Sequence, residues 1–132
     1  MLHYPVKILL AFGETFSGNE ELLDWLLKNG YPELAALSSA IRGSEEAFKW
    51  LIKNGHRELA ALDSAIDDNK QAYQWLMQHE FYFLALLSDA CRNQPEALAW
   101  LTRNELQIFI VIASKIKFFR DNQIFDHHKI HF

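Results

Sequence analysis

Tryptophan recurs along this chain at Trp25, Trp50, Trp75 and Trp100, once every 25 residues, and its neighbours keep the same register. A leucine follows each indole (Leu26, Leu51, Leu76, Leu101), and an apolar residue precedes it by two (Leu23, Phe48, Tyr73, Leu98). Leu34, Leu59, Leu84 and Phe109 form another column, then Leu37, Leu62, Leu87 and Ile112, and Ile41, Ile66, Cys91 and Ile116 close each unit. So many columns agreeing at one period indicate stacked supersecondary units rather than one irregular domain.

The polar positions divide each unit into two helices. In the second copy, Ser44 suits an N-cap, and Glu45 and Glu46 place negative charge in the first turn, where the helix dipole favours it. Ala47, Phe48, Trp50, Leu51 and Ile52 then give a broad apolar face. Asn54-Gly55 stops that helix, and a second one carries Leu59, Ala60, Ala61, Leu62, Ala65 and Ile66 before Asp67-Asp68. Pro95 fits a first helical position in the fourth copy. Gly18, Gly43, Asp68 and Asn93 share the turn between hairpins, and all three residue types tolerate positive φ. Helices this short are marginal alone and require stacking. Ala35-Ala36, Ala60-Ala61 and Ala40, Ala65 and Ala90 leave room for close approach, so each indole is expected over the alanines of an adjacent helix.

The pattern predicts an all-α fold: an α-α solenoid, right-handed or of undetermined hand, of four short helical hairpins with N- and C-terminal capping helices. The expected division of residues 1–132, one helical-repeat domain, is a cap helix at 1–18, repeats at 19–43, 44–68, 69–93 and 94–118, and a cap or tail at 119–132. The cap role of 4–18 rests on Pro5 through Gly18 paralleling Pro32 through Gly43, and the tail on the decay of the pattern beyond Lys117. Residues 19–117 resemble the α-solenoid class that includes HEAT and tetratricopeptide arrays, although the period is shorter and neither the tetratricopeptide nor the ankyrin signature is present. That resemblance implies protein–protein interaction and nothing narrower.

Composition alters this picture little. Half the residues are apolar and the net charge is −4, which argues against non-specific nucleic-acid binding and against a polybasic membrane patch. No stretch approaches the roughly 20 apolar residues of a membrane span, and a single cysteine forms no intramolecular disulfide. A cytoplasmic protein is expected, with no cofactor, metal or membrane.

Few residues suggest chemistry. Cys91 sits in an isoleucine column and reads as a small buried hydrophobe. His127 and His131 are four apart in the tail, without the further ligands that a metal site needs. Asp63, Asp67 and Asp68 read as a solvated helix end, and His56 as a surface turn residue. The third copy departs most: Phe81-Tyr82-Phe83 stands where earlier copies have Tyr31-Pro32-Glu33 and His56-Arg57-Glu58. One wall of the array therefore turns from charged to aromatic along its length. Those aromatics are either covered by the C-terminal segment through Phe118, Phe119 and Phe125, or they form a partner site, and a homodimer through that wall is a variant of the second reading.

The expected function is a non-enzymatic protein–protein interaction module with no catalytic residues. Its candidate interaction residues are Phe81, Tyr82, Phe83, Lys49 and Lys53, the lysines belonging to polar columns (Asp24, Lys49, Gln74, Ala99 and Lys28, Lys53, Gln78, Arg103) that vary between copies. The alternative is a small-ligand-binding protein or enzyme with a pocket near repeats 3–4 and the C-terminal tail. A third reading gives Lys115, Lys117, Arg120 and Lys129 to nucleic acid.

Overall fold

The structure, a computed structural model, describes the backbone of residues 1–131 and the side chains of residues 1–122. It is all-helical, with nine α-helices and no strand among the described residues. Helix α1 spans Val6–Glu14 and runs into a 3₁₀ turn at Thr15–Ser17; α2 (Glu21–Lys28), α3 (Pro32–Ile41), α4 (Glu45–Lys53) and α5 (Arg57–Ile66) follow. Then come α6 (Lys70–Gln78), α7 (Tyr82–Cys91), α8 (Pro95–Arg103) and α9 (Gln107–His131). No helix among the described residues is long and apolar enough to cross a membrane.

The helices stop where the turn residues direct. Every even-numbered helix ends in a Schellman bond, the backbone N–H of Tyr31, His56, Phe81 and Leu106 donating to the carbonyl of Leu26, Leu51, Leu76 and Leu101. A second clamp recurs beside it. The side-chain amides of Asn29, Asn54 and Asn104 donate to the carbonyls of Trp25, Trp50 and Trp100 at 2.7–2.8 Å, and His79 Nδ1 does the same for Trp75. Ser44 and Asn69 cap α4 and α6 by accepting from the N–H three residues on.

The odd-numbered helices form an inner layer and the even-numbered ones lie outside, each bridging two inner neighbours. Helices α3, α5, α7 and α9 pack in succession, and α1 packs against both α3 and α9, so the inner row closes on itself. The approach of α1 to α9 is tight at Gly13, where a Cβ would lie 3.4 Å from the side chains of Ile112 and Lys115. Outer helices cover the seams α1–α3, α3–α5, α5–α7 and α7–α9, but among the described residues none lies over the α1–α9 seam. Large apolar side chains are exposed along its two helices: Val6, Leu10, Val111 and Phe118, the last at 70%.

The most deeply buried residue of each outer helix is the leucine after the tryptophan: Leu26, Leu51, Leu76 and Leu101 are wholly sealed. The four indoles are only partly buried and pack against the core from its outer side. Trp50 does share a groove with Ala35, Ala36 and Ala47, as the small residues suggest. Trp75 contacts the Arg57 guanidinium, 5.4 Å from the ring centroid, and the stacked rings of His79 and Phe81.

At the far end of the inner layer the side chains turn polar. Thr15, Ser38, Asp63 and Ser88 are buried, with the hydroxyls of Thr15 and Ser38 2.7 Å apart. Arg120 of α9 forms an ion pair with Asp67 and donates to the carbonyl of Ile41. Asp63 is therefore no solvated helix end: it is 8% exposed, and burial pushes its carboxyl up to about 6 against the opposing pull of Arg120. Arg92 ties Asp68 to Asp89 at 2.8 and 2.6 Å, and Asp89 also accepts from the Tyr73 hydroxyl. Helix α9 continues past residue 118 without a break, so 119–131 extends the last inner helix rather than starting a separate cap.

Candidate functional site

The turn geometry that ends each outer helix also builds the site. After the Schellman bond the chain enters the next inner helix at Tyr31, His56 or Phe81, and two of these rings fold back onto the preceding indole. His56 stacks on Trp50 at 5.9 Å and Phe81 on Trp75 at 5.8 Å. The starts of α3, α5 and α7 thus lie side by side, and the segment Met1–Tyr4 ahead of α1 completes a hollow of about 560 Å³. A hollow of this size lies within the roughly 300–1,000 Å³ range of ligand clefts.

Its floor includes the buried Leu59 and Leu84. Phe81, Tyr82 and Phe83 all line it, with Tyr82 56% exposed. Phe83 is anchored edge-on against Phe109 at 4.9 Å and lies 6.3 Å from Trp100. Three carboxylates, Glu33, Glu58 and Glu80, share the lining with His3 and His56, and among the described residues no lysine or arginine does. Glu33 accepts a 3.0 Å hydrogen bond from Tyr4, whose hydroxyl is pushed well above its ordinary range, first by burial and then by Glu33, so it remains a donor at neutral pH. The Glu58 carboxylate is opposed by the α-ammonium of Met1, which also lines the hollow, and the Glu80 side chain has no hydrogen bond or ion pair with another described residue. Glu80 also holds a left-handed backbone, φ 64°, at the turn position that the first two hairpins give to Gly30 and Gly55.

The structure therefore brings three of the five candidate interaction residues together and leaves two apart. Lys49 and Lys53 are exposed on α4 and do not line the hollow; the other residues of their two columns are exposed as well. His56 lines the hollow and is partly buried, not a free surface turn residue. Phe118 and Phe119 do not cover the aromatic wall: Phe119 packs against Phe16 at 6.2 Å and Phe118 faces solvent. The placements of Phe125, His127, His131 and Lys129 lie outside the described side chains. Glu33 and Glu58 share a 25-residue column with Phe83, and that column carried the signal for the site. Read linearly it is a wall grading from charged to aromatic; curled into a closed layer, its charged and aromatic ends border one hollow.

Elsewhere the candidate chemistry is sealed or already paired. Cys91 is buried, and burial pushes its thiol up to about 12, which suppresses the reactive thiolate. No group of three potential ligands could hold a metal ion among the described residues. Lys115 pairs with Glu14 at 3.0 Å, Lys117 with Asp121 at 2.9 Å and Arg120 with Asp67, so the three described cations proposed for nucleic acid already face carboxylates. A second hollow, of about 360 Å³ between α7, α8 and α9, is lined by Leu98, Ile110, Lys117 and Phe118, without Cys91. No family model matches the chain, and neither a curated protein nor a solved structure matches it.

Proposed function

We propose that this chain is a non-enzymatic, cytoplasmic protein–protein interaction module: a short α-α solenoid of four hairpins, bent until its first and last inner helices meet. The partner engages the hollow at the starts of α3, α5 and α7 rather than the outer faces of α2, α4, α6 and α8. The observation that carries this is the exposed Tyr82 standing between two anchored phenylalanines over a hollow of about 560 Å³. Rigid aromatic rings beside a concavity are the usual anchors of an interface, because they contribute large contact area with little entropy to lose.

Affinity capture followed by mass spectrometry, with wild type beside Tyr82→Ser, tests the proposal. Phe81 and Phe83 are left in place, since they hold Trp75 and Phe109 and their loss would damage the fold. A partner that disappears from the Tyr82→Ser sample supports the site; identical recoveries from both samples end it.

A second copy of the chain is the other reading of the partner. What favours it is the α1–α9 seam, where Val6, Leu10, Val111 and Phe118 are exposed and no helix among the described residues covers the two helices. On this reading the homodimer forms through the seam instead of the aromatic wall. Light scattering on wild type and Val111→Ser/Phe118→Ser checks it, because a dimer held by the seam falls to monomer in the variant.

A further inference from the structure

We infer that the hollow at the starts of α3, α5 and α7 receives an extended, arginine- or lysine-bearing segment of the partner protein; this names the partner chemistry of the site proposed above and rests on that reading. Three features support it.

The first is charge. Glu33, Glu58 and Glu80 border the hollow, and among the described residues no lysine or arginine does, the Met1 α-ammonium being the cation in the lining. The Glu80 side chain has no hydrogen bond or ion pair with another described residue, and Glu58 is opposed by the α-ammonium of Met1, whose positive charge burial disfavours. A cation entering from the partner would meet the Glu80 carboxylate unpaired and would compete at Glu58 with the Met1 ammonium, and an acidic segment would be repelled.

The second is the aromatic lining. Phe81 is stacked on Trp75 and Phe83 is set edge-on to Phe109, so both rings are fixed before anything binds. Tyr82 between them is exposed. A guanidinium stacks on such faces while its fork reaches a carboxylate, and an ammonium makes only a point contact, so arginine is favoured over lysine.

The third is size. The hollow offers about 560 Å³ and is open to solvent, room for an extended segment lying across it with a side chain projecting in.

Selection of a random seven-residue peptide library on the whole protein tests this. Selected peptides are then synthesised with a fluorescein label and their affinities measured by anisotropy for wild type, Glu58→Gln/Glu80→Gln and Tyr82→Ser. The expected result is enrichment of arginine and, less strongly, lysine. The double variant should bind about tenfold more weakly, and wild-type affinity should fall steeply as salt rises. The salt dependence is read on the unmodified protein, so it stands even where a variant folds poorly. Neutral or acidic peptides that still lose affinity with Tyr82→Ser would overturn the cationic specificity and leave the interaction reading intact. Peptides that bind wild type and Tyr82→Ser equally, or no enrichment at all, would overturn both.

Discussion

Leu51 and Trp50 are adjacent yet do different work. Leu51 is wholly sealed beneath its helix, whereas the Trp50 indole keeps one face toward the groove between α2 and α4. Leu51→Ala should therefore cost about 3–4 kcal/mol, within the range for a sealed leucine, and Trp50→Ala about 2–3 kcal/mol, below that for a fully enclosed indole. Urea denaturation of the two variants checks the order; a much larger loss for Trp50→Ala would mean that the indole, not the leucine, is the keystone. Glu105 offers a gain instead of a loss. Its φ of 57° is a left-handed conformation that costs a residue with a Cβ more than it costs glycine, and its side chain is exposed. Glu105→Gly should stabilise the protein by about 0.5–1 kcal/mol once the extra flexibility of unfolded glycine is subtracted. No shift in the urea midpoint would show that the turn is relaxed as it stands.

At the level of the elements, most of the helix boundaries were legible because turn chemistry is local. Ser44, Asn54-Gly55 and Pro95 mark starts and stops that the structure keeps within a residue or so. The clamp from Asn54 to the Trp50 carbonyl adds to the Schellman bond, so Asn54→Ala should cost about 1 kcal/mol by thermal denaturation, the usual size of a lost cap-type bond. What the chain did not reveal was how the hairpins turn relative to one another. A period fixes which residues face a neighbour; the small rotation from one hairpin to the next depends on side-chain fit at sites such as Ala35, Ala60 and Ala85, and it accumulates along the row. Five inner helices suffice to bring α1 onto α9, and Gly13 facing Ile112 became meaningful only once that contact was known. The site was half legible for the same reason: Phe81, Tyr82 and Phe83 stood out as departures from the repeat, while the role of Glu33 and Glu58 depended on the row curling.

Closure of the whole molecule leaves a titratable group at its core, and this gives the fold a pH signature. Asp63 and Arg120 are 57 residues apart in sequence, with no local pattern linking them, yet Arg120 is the cation that pulls against burial at Asp63. Burial outweighs it, and the carboxyl rises from 3.8 to about 6. A carboxyl with a higher pKa folded than unfolded favours the folded state when protonated. Its contribution is therefore fully present below about pH 4 and lost as pH rises through about 6. A shift of this size corresponds to on the order of 3 kcal/mol between the two limits. The ion pairs Asp67–Arg120 and Asp68–Arg92 are exposed on the carboxylate side and contribute little. Thermal unfolding of wild type and Asp63→Asn from pH 4.5 to 7.5 isolates the effect in the difference between the two curves. Asp63→Asn should lie nearest to wild type at pH 4.5 and become increasingly the more stable form as pH rises through 6, since its neutral amide carries no charge to bury. Parallel curves across that range would mean that Arg120 holds Asp63 ionised throughout, and that the buried end of the inner layer is a settled ion pair rather than a group poised to titrate.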